Sequence, residues 1–206
     1  MHSCARVLTV AGLWLAGAAA AAQTAPSVPS VDALGTSPTQ QGGANRAVLI
    51  LGGQTPLIVG TAELAGLEVY DLAGKRIAAV PAGEAVGVDV RYGWSANAGG
   101  SGVILVAADA TTNSLRFYRP ADGSIAEVGP RPVPLGIAVE GACLYRSAQD
   151  GSLYAFALGD GGEVDQYLLF EPEAGRVDAK LVRRLHVAST VEHCIADDST
   201  GDLYVS

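Results

Sequence analysis

Positive charge is scarce in this chain. Lys and Arg together number 13 in 206 residues against 21 Asp and Glu, a balance of -8, and charged residues are 17%. Binding a phosphate backbone takes a basic stripe, and its absence argues against nucleic acid as a partner. Long apolar runs are lacking too. The most apolar stretch, VAGLWLAGAAAAA at 10–22, is shorter than the about 20 residues of a membrane-spanning helix. Cysteine is limited to Cys4, Cys143 and Cys194, too few for a disulfide scaffold. The signatures G-x-S-x-G, H-E-x-x-H, C-x-x-C and the P-loop are all absent, which removes the commonest nucleophile, zinc-peptidase, redox and nucleotide sites. Beyond the first 22 residues no window carries a sustained helical period.

What is present begins with a leader. His2 and Arg6 precede the apolar run, which closes on Ala20-Ala21-Ala22 before Gln23. This is the layout of a secretory signal peptide over 1–22. The expectation is an exported protein, periplasmic or extracellular, with no membrane segment in its mature form. Its removal takes one Arg and no acid, leaving 12 basic against 21 acidic residues, or -9. Residues 23–45 hold three Pro among Ser, Thr, Gln and Gly, and read as a flexible tether. The ordered part is expected from Arg46 or Ala47 onward.

From there the pattern is β. Short apolar or alternating runs such as AVLIL, GLEVYDL, VGVDVRY, GVILVAA, SLYAFAL and RLHVA are separated by Gly, Asp, Asn and Pro at turn spacing. The runs also repeat. Leu67-Glu68-Val69-Tyr70 resembles Leu115-Arg116-Phe117-Tyr118 and Val164-Asp165-Gln166-Tyr167, with the tyrosines 48 and 49 residues apart. Cys143-Leu144-Tyr145 and its following Gly151 recur as Cys194-Ile195-Ala196 and Gly201, at offsets of 51 and 50. About four strands per unit of this period predict the blades of an all-β propeller. The alternative, a β-sandwich, requires the spacing to be coincidence. Residues 46–206 make 3.3 such units, so about three blades are expected, and the chain stops inside a hairpin at Tyr204-Val205-Ser206. Since a propeller closes with 4 to 8 blades, a fragment of a longer chain is the expectation. Cys143 and Cys194 hold equivalent places in neighbouring units, so a bridge between adjacent blades is conceivable; two free thiols fit the count equally.

Near the end, VEHCIADDSTGDLYVS gathers Glu192, Asp197 and Asp198. Calcium takes six to eight such oxygens, whereas Asp and Gly at 198–201 also suit a plain hairpin turn. Glu192, His193 and Cys194 cannot all meet one zinc ion from a strand, whose successive side chains point to opposite faces.

At these segments the sequence resembles the β-propeller phytases, six-bladed calcium-dependent enzymes that remove phosphate from inositol hexakisphosphate. The likeness rests on GLEVYDLAGKRI at 66–77, VGVDVRY at 86–92, CLYRSAQDGSLYAFALGDGGEVDQY at 143–167 and VEHCIADDSTGDLYVS at 191–206, the last like the family's E-G-C-x-A-D-D. It covers residues 57–206, about the first half of a complete member. The resemblance implies Ca2+ as cofactor and phytate or another phosphomonoester as substrate. It makes Glu192 a calcium ligand on the catalytic side, Asp89 a second ligand, and Arg91 a substrate-binding cation. It also implies losses. Glu63 and Leu64 stand where the family has a lysine pair, Asp109-Ala110 where it has Asn-Arg, Glu140 at its calcium-binding Tyr, and Asp160 at a Lys. Fewer cations face phosphate, so the expectation is a 3-phytase-like hydrolase that is weak or inactive as an isolated chain, resembling an incomplete or N-terminal tandem domain. The alternative is a non-catalytic exported propeller module that binds a partner or assists a downstream phytase domain.

Overall fold

The computed structural model describes Ser30, Thr36 and residues 42–51, 55–94 and 102–206. The leader at 1–22 and most of the tether at 23–45 lie outside these described residues. Every regular element among them is a strand. The first sheet runs β1 (Ala47–Ile50), β2 (Leu57–Ala62), β3 (Gly66–Tyr70), β4 (Arg76–Val80). The second runs β5 (Ala85–Tyr92), β6 (Val103–Asp109), β7 (Ser114–Ala121), β8 (Ser124–Glu127), with a short β9 (Val133–Pro134) added against β7. The third is β10 (Val139–Arg146), β11 (Leu153–Gly159), β12 (Glu163–Phe170), β13 (Asp178–His186). The hairpin β14 (Cys194–Asp197) and β15 (Asp202–Val205) begins a fourth. Each sheet is an antiparallel meander in chain order.

Alternation along the strands decides how the sheets stack. In β6, Val103, Leu105 and Ala107 pack toward the first sheet, while Ile104, Val106 and Ala108 pack toward the third. All seven residues of β6 are buried. In β11, Leu153, Ala155 and Ala157 face the second sheet, and Phe156 and Leu158 meet Val191 and Cys194 of the fourth. A two-sheet sandwich buries one face of each sheet. Here the second and third sheets are covered on both faces, which is the stacking of propeller blades.

The repeated tyrosines take equivalent places. Tyr70, Tyr118 and Tyr167 all lie in the third strand of their sheet. Each has a charged residue two positions earlier, paired with an opposite charge on the fourth strand. In the first sheet Arg76 lies 2.6 Å from the buried Glu68, which also accepts from the Tyr70 hydroxyl. In the third, Arg184 lies 3.5 Å from buried Asp165, beside Tyr167. The middle sheet reverses the signs: Arg116 is on the third strand, 3.2 Å from Glu127 on the fourth.

Two strands differ from the expectation. β13 begins at Asp178, well before the RLHVA run, and Lys180 through His186 are exposed. A mostly polar edge strand lacks the apolar alternation that marks buried ones. β8, SIAE, is short and half-exposed for the same reason.

The innermost strands approach closely. A Cβ on Gly87 of β5 would sit 2.7 Å from Ala142 N of β10, and one on Gly141 would sit 2.2 Å from Glu192 O. Cys143 and Cys194 form a disulfide between the first strands of the third and fourth sheets, with Cα atoms 5.8 Å apart.

Closing a loop with a sequence separation of 51 restricts the unfolded chain, by about 4 kcal/mol in the chain-entropy treatment. Replacing both cysteines by Ala is therefore expected to lower the midpoint of urea unfolding with a loss of about 2–4 kcal/mol, and an unchanged midpoint would refute that contribution.

Candidate functional site

The first strand of each sheet lies innermost, with β5 packed beside β1 and β10, and β10 beside β14. Their starting ends carry acids. Glu84 immediately precedes β5, Glu140 is the second residue of β10, and Glu192 stands two residues before β14. Asp160 follows β11 and turns back beside β10 through its N–H to Ala138 O at 3.3 Å. Backbone bonds fix these positions. Glu84 O accepts from Ala110 N at 2.8 Å, and Glu192 N donates to Ser206 O at 2.9 Å. Glu63 lies at the end of β2, where its carboxylate accepts from Gly43 N at 3.2 Å and its carbonyl from Ala85 N at 3.1 Å.

Glu140 occupies a β-bulge. The β10–β11 register passes from Val139↔Gly159 to Gly141↔Leu158, leaving Glu140 as the extra residue. A matching irregularity falls between Ala85 and Gly87 in β5. Bulges redirect a side chain away from the regular pleat. Burial, then the negative fields of Asp160, Glu192 and Glu84, raise the Glu140 carboxyl above its usual range. Four carboxylates that repel one another on one rim are the hard oxygen donors that suit calcium, which accepts irregular geometry and retained water. Among the described residues no three acidic, His or Cys side chains already converge on one ion position. An ion held here would therefore keep water ligands.

Further along the same strands lies a different cluster. Asp89 and Arg91 share one face of β5, two residues apart. The Asp89 carboxylate accepts from Val90 N at 2.7 Å, from Leu144 N of β10 at 2.8 Å, and from Arg91 Nη1 at 3.1 Å. Arg91 Nη1 also donates to Val90 O, Nη2 to Ala196 O of β14 at 3.0 Å, and Nε to Asp198 at 3.1 Å. Asp198 in turn accepts from Arg146 N at 3.0 Å. Burial raises the Asp89 pKa, opposed first by Arg91 and then by the Leu144 and Val90 N–H groups and Arg46. Asp89, Arg91, Asp198 and Tyr204 line a cleft of about 660 Å³.

The residues picked from the sequence thus fall in two places. Glu192 joins the acidic rim, whereas Asp89 and Arg91 bond each other below it. Cys143 and Cys194 are bridged. Asp197 serves the hairpin turn, its Oδ1 accepting from Ser199 N at 2.8 Å, while Asp198 reaches across to Arg91. Asp109 is fully buried and held by Thr111 N, Thr112 Oγ1 and Arg116 Nε. Sequence reading left Glu84 out and did not join it with Glu140, Asp160 and Glu192. A signal existed: Glu84, Glu140 and Glu192 recur at 56 and 52 residues, close to the repeat length.

The family model described as Phytase matches residues 15–206. The 3-phytase of Bacillus subtilis (strain 168) is 32% identical over 158 residues, which cover 72% of this chain and 41% of that protein. The chain thus spans about two-fifths of the length of that curated relative.

The rim makes a titration testable. With divalent cations removed, the Glu140 carboxyl is expected to titrate above the ordinary glutamate range by carbon-13 NMR, and Asp160→Asn or Glu192→Gln should lower it. Because the folded pKa is raised, ionised Glu140 disfavours the fold, and that penalty fades as pH falls through the folded pKa. A Glu140 titration indifferent to both substitutions would show that the carboxylates do not share a field.

Proposed function

The chain belongs to the phytase family, and from that footing we propose that it is part of a calcium-dependent phosphomonoester hydrolase acting on phytate, with weak turnover by this stretch alone. The observation that carries this reading is the acidic rim on the starting ends of adjacent inner strands, where burial and then the fields of Asp160, Glu192 and Glu84 raise the Glu140 pKa. Glu192 and Glu140 would hold the ion, with Glu84 and Asp160 adding negative field. Calcium bound there supplies the positive charge that draws in phosphate oxygens and stabilises charge developing at phosphorus. Without such an ion, the same rim repels a polyanionic substrate. Because the Glu140 pKa is raised, an ion held there would compete with its protonation, and affinity is expected to rise as pH rises through that pKa.

Support for low activity comes from the cations. Arg91 is engaged by Asp89, Val90 O, Ala196 O and Asp198, and Arg46 donates to Cys194 O at 3.2 Å. Glu63 and Asp160 stand where the family resemblance expects lysine. The same facts favour the second reading, a non-catalytic exported module that binds a partner or assists a neighbouring phytase domain. Export is part of the proposal, supported by the leader at 1–22 and consistent with a Cys143–Cys194 bridge.

Phosphate release from phytate, with and without calcium, tests this reading on the full chain. Slow release that stops on chelation and in Glu192→Gln is expected. The pair Glu63→Lys and Asp160→Lys should tighten phytate binding by at least about tenfold, since even one charge-assisted phosphate contact contributes about 1.5–3 kcal/mol. Calcium binding without phosphate release, together with faster turnover by an added phytase domain, would favour the module instead. Absence of calcium binding would sink the hydrolase reading and leave the module.

A further inference from the structure

We infer that Asp89 and Arg91 are a positioning pair for the acidic rim, acting on calcium through Glu140 and Glu192 rather than touching ion or phosphate; this rests on the calcium-binding reading above. Three inner strands carry the rim, and this pair links all three. Asp89 of β5 accepts from Leu144 N of β10 at 2.8 Å. Arg91 of β5 donates to Ala196 O and Asp198, at and just beyond β14. Asp198 returns the link to β10 through Arg146 N. The triangle β5–β10–β14 is closed by side chains.

Its level along the strands is the second observation. Leu144 lies four residues beyond Glu140, and Ala196 four beyond Glu192; Asp89 lies five beyond Glu84, one residue of which is taken up by the irregularity between Ala85 and Gly87. With Arg91, Arg146 and Asp198 two residues further on, the links sit in one band four to six residues below the rim acids, about 13–20 Å of strand at about 3.3 Å per residue. They hold the relative slide of the three strands. The Cys143–Cys194 bridge ties β10 to β14 at a similar level but does not reach β5. The Asp89–Arg91 pair ties β5 to both of the other strands, beside an Arg146 Nη1 bond to Tyr92 O at 3.4 Å that ties β5 to β10 alone.

Arg91 is also unsuited to substrate. Its Nε, Nη1 and Nη2 all have acceptors, and its side chain is 16% exposed. A planar fork with three directed donors is what these acceptors require, and the single ammonium of lysine cannot reach them all.

The test uses the full chain with its disulfide intact. Calcium chloride binding by calorimetry, inorganic phosphate binding, thermal midpoint and amide exchange are measured for Arg91→Lys, Arg91→Met and Asp89→Asn. Substitutions that reach a site only through packed elements shift coupling by a factor of a few to about thirty, so Arg91→Lys is expected to weaken calcium by about fivefold. Its thermal midpoint should stay near that of the parent, because one ion pair survives. Exchange at the Leu144 amide should quicken in Asp89→Asn, and inorganic phosphate binding in the presence of calcium should weaken only in step with calcium. Loss of phosphate binding at saturating calcium in Arg91→Lys, with calcium affinity unchanged, would make Arg91 a phosphate ligand and overturn the inference. So would calcium affinity and thermal midpoint falling together in every variant, the mark of general unfolding. If the parent itself binds no calcium, the calcium reading and this inference fall together; if the parent binds but Arg91→Lys binds equally well, the inference alone falls.

Discussion

The close approach of the inner strands governs the rest of this structure. Gly87 and Gly141 let β5, β10 and the segment before β14 come together nearly backbone to backbone. A side chain at either position would force its neighbour outward, and the wedge of stacked sheets would open at its narrow edge. That proximity brings carboxylates from separate sheets onto one rim, where they add to burial in raising the Glu140 pKa. Like charges repel, so the rim needs strands that are held from elsewhere. Apolar burial on both faces of the second and third sheets supplies most of that hold. The disulfide and the Asp89–Arg91 bonds add directional restraint that non-directional burial cannot give.

Much of the fold was legible because repetition and alternation are written in the same residues. A period set by Tyr70, Tyr118 and Tyr167 gave the sheet count, and each tyrosine does occupy the third strand. Alternation in GVILVAA reported a strand with two buried faces. Edge elements were less legible. β13 carries Lys180, Arg183, Arg184 and His186 on exposed positions, and an exposed edge imposes no apolar pattern on the sequence. β8 is short for the same reason.

The site was legible by residue type but not by grouping. Glu192 was identifiable from its place in the E-G-C-like segment, and it lies on the rim. Asp89 and Arg91 were marked by the resemblance of VGVDVRY to a family strand, yet whether such a pair faces substrate or its neighbours depends on which backbone groups arrive beside it. Leu144 N and Ala196 O come from strands 55 and 105 residues away, and local sequence does not encode their arrival. Glu140 illustrates the same limit. A bulge sets where it points, and a bulge is a property of pairing between two strands rather than of either one alone.

The reversed ion pair of the middle sheet has a consequence for how the chain sorts its own repeats. Tandem units of similar sequence are prone to exchange strands with one another on the way to the native state. Were the third strand of the middle sheet to dock on the fourth strand of either neighbour, Arg116 would meet Arg76 or Arg184. Were a neighbour's third strand to dock on β8, Glu68 or Asp165 would meet Glu127. Every such mispairing sets like charges together at a half-buried place, so the alternation of sign works as an address that keeps the middle unit's strands apart from those of its two neighbours.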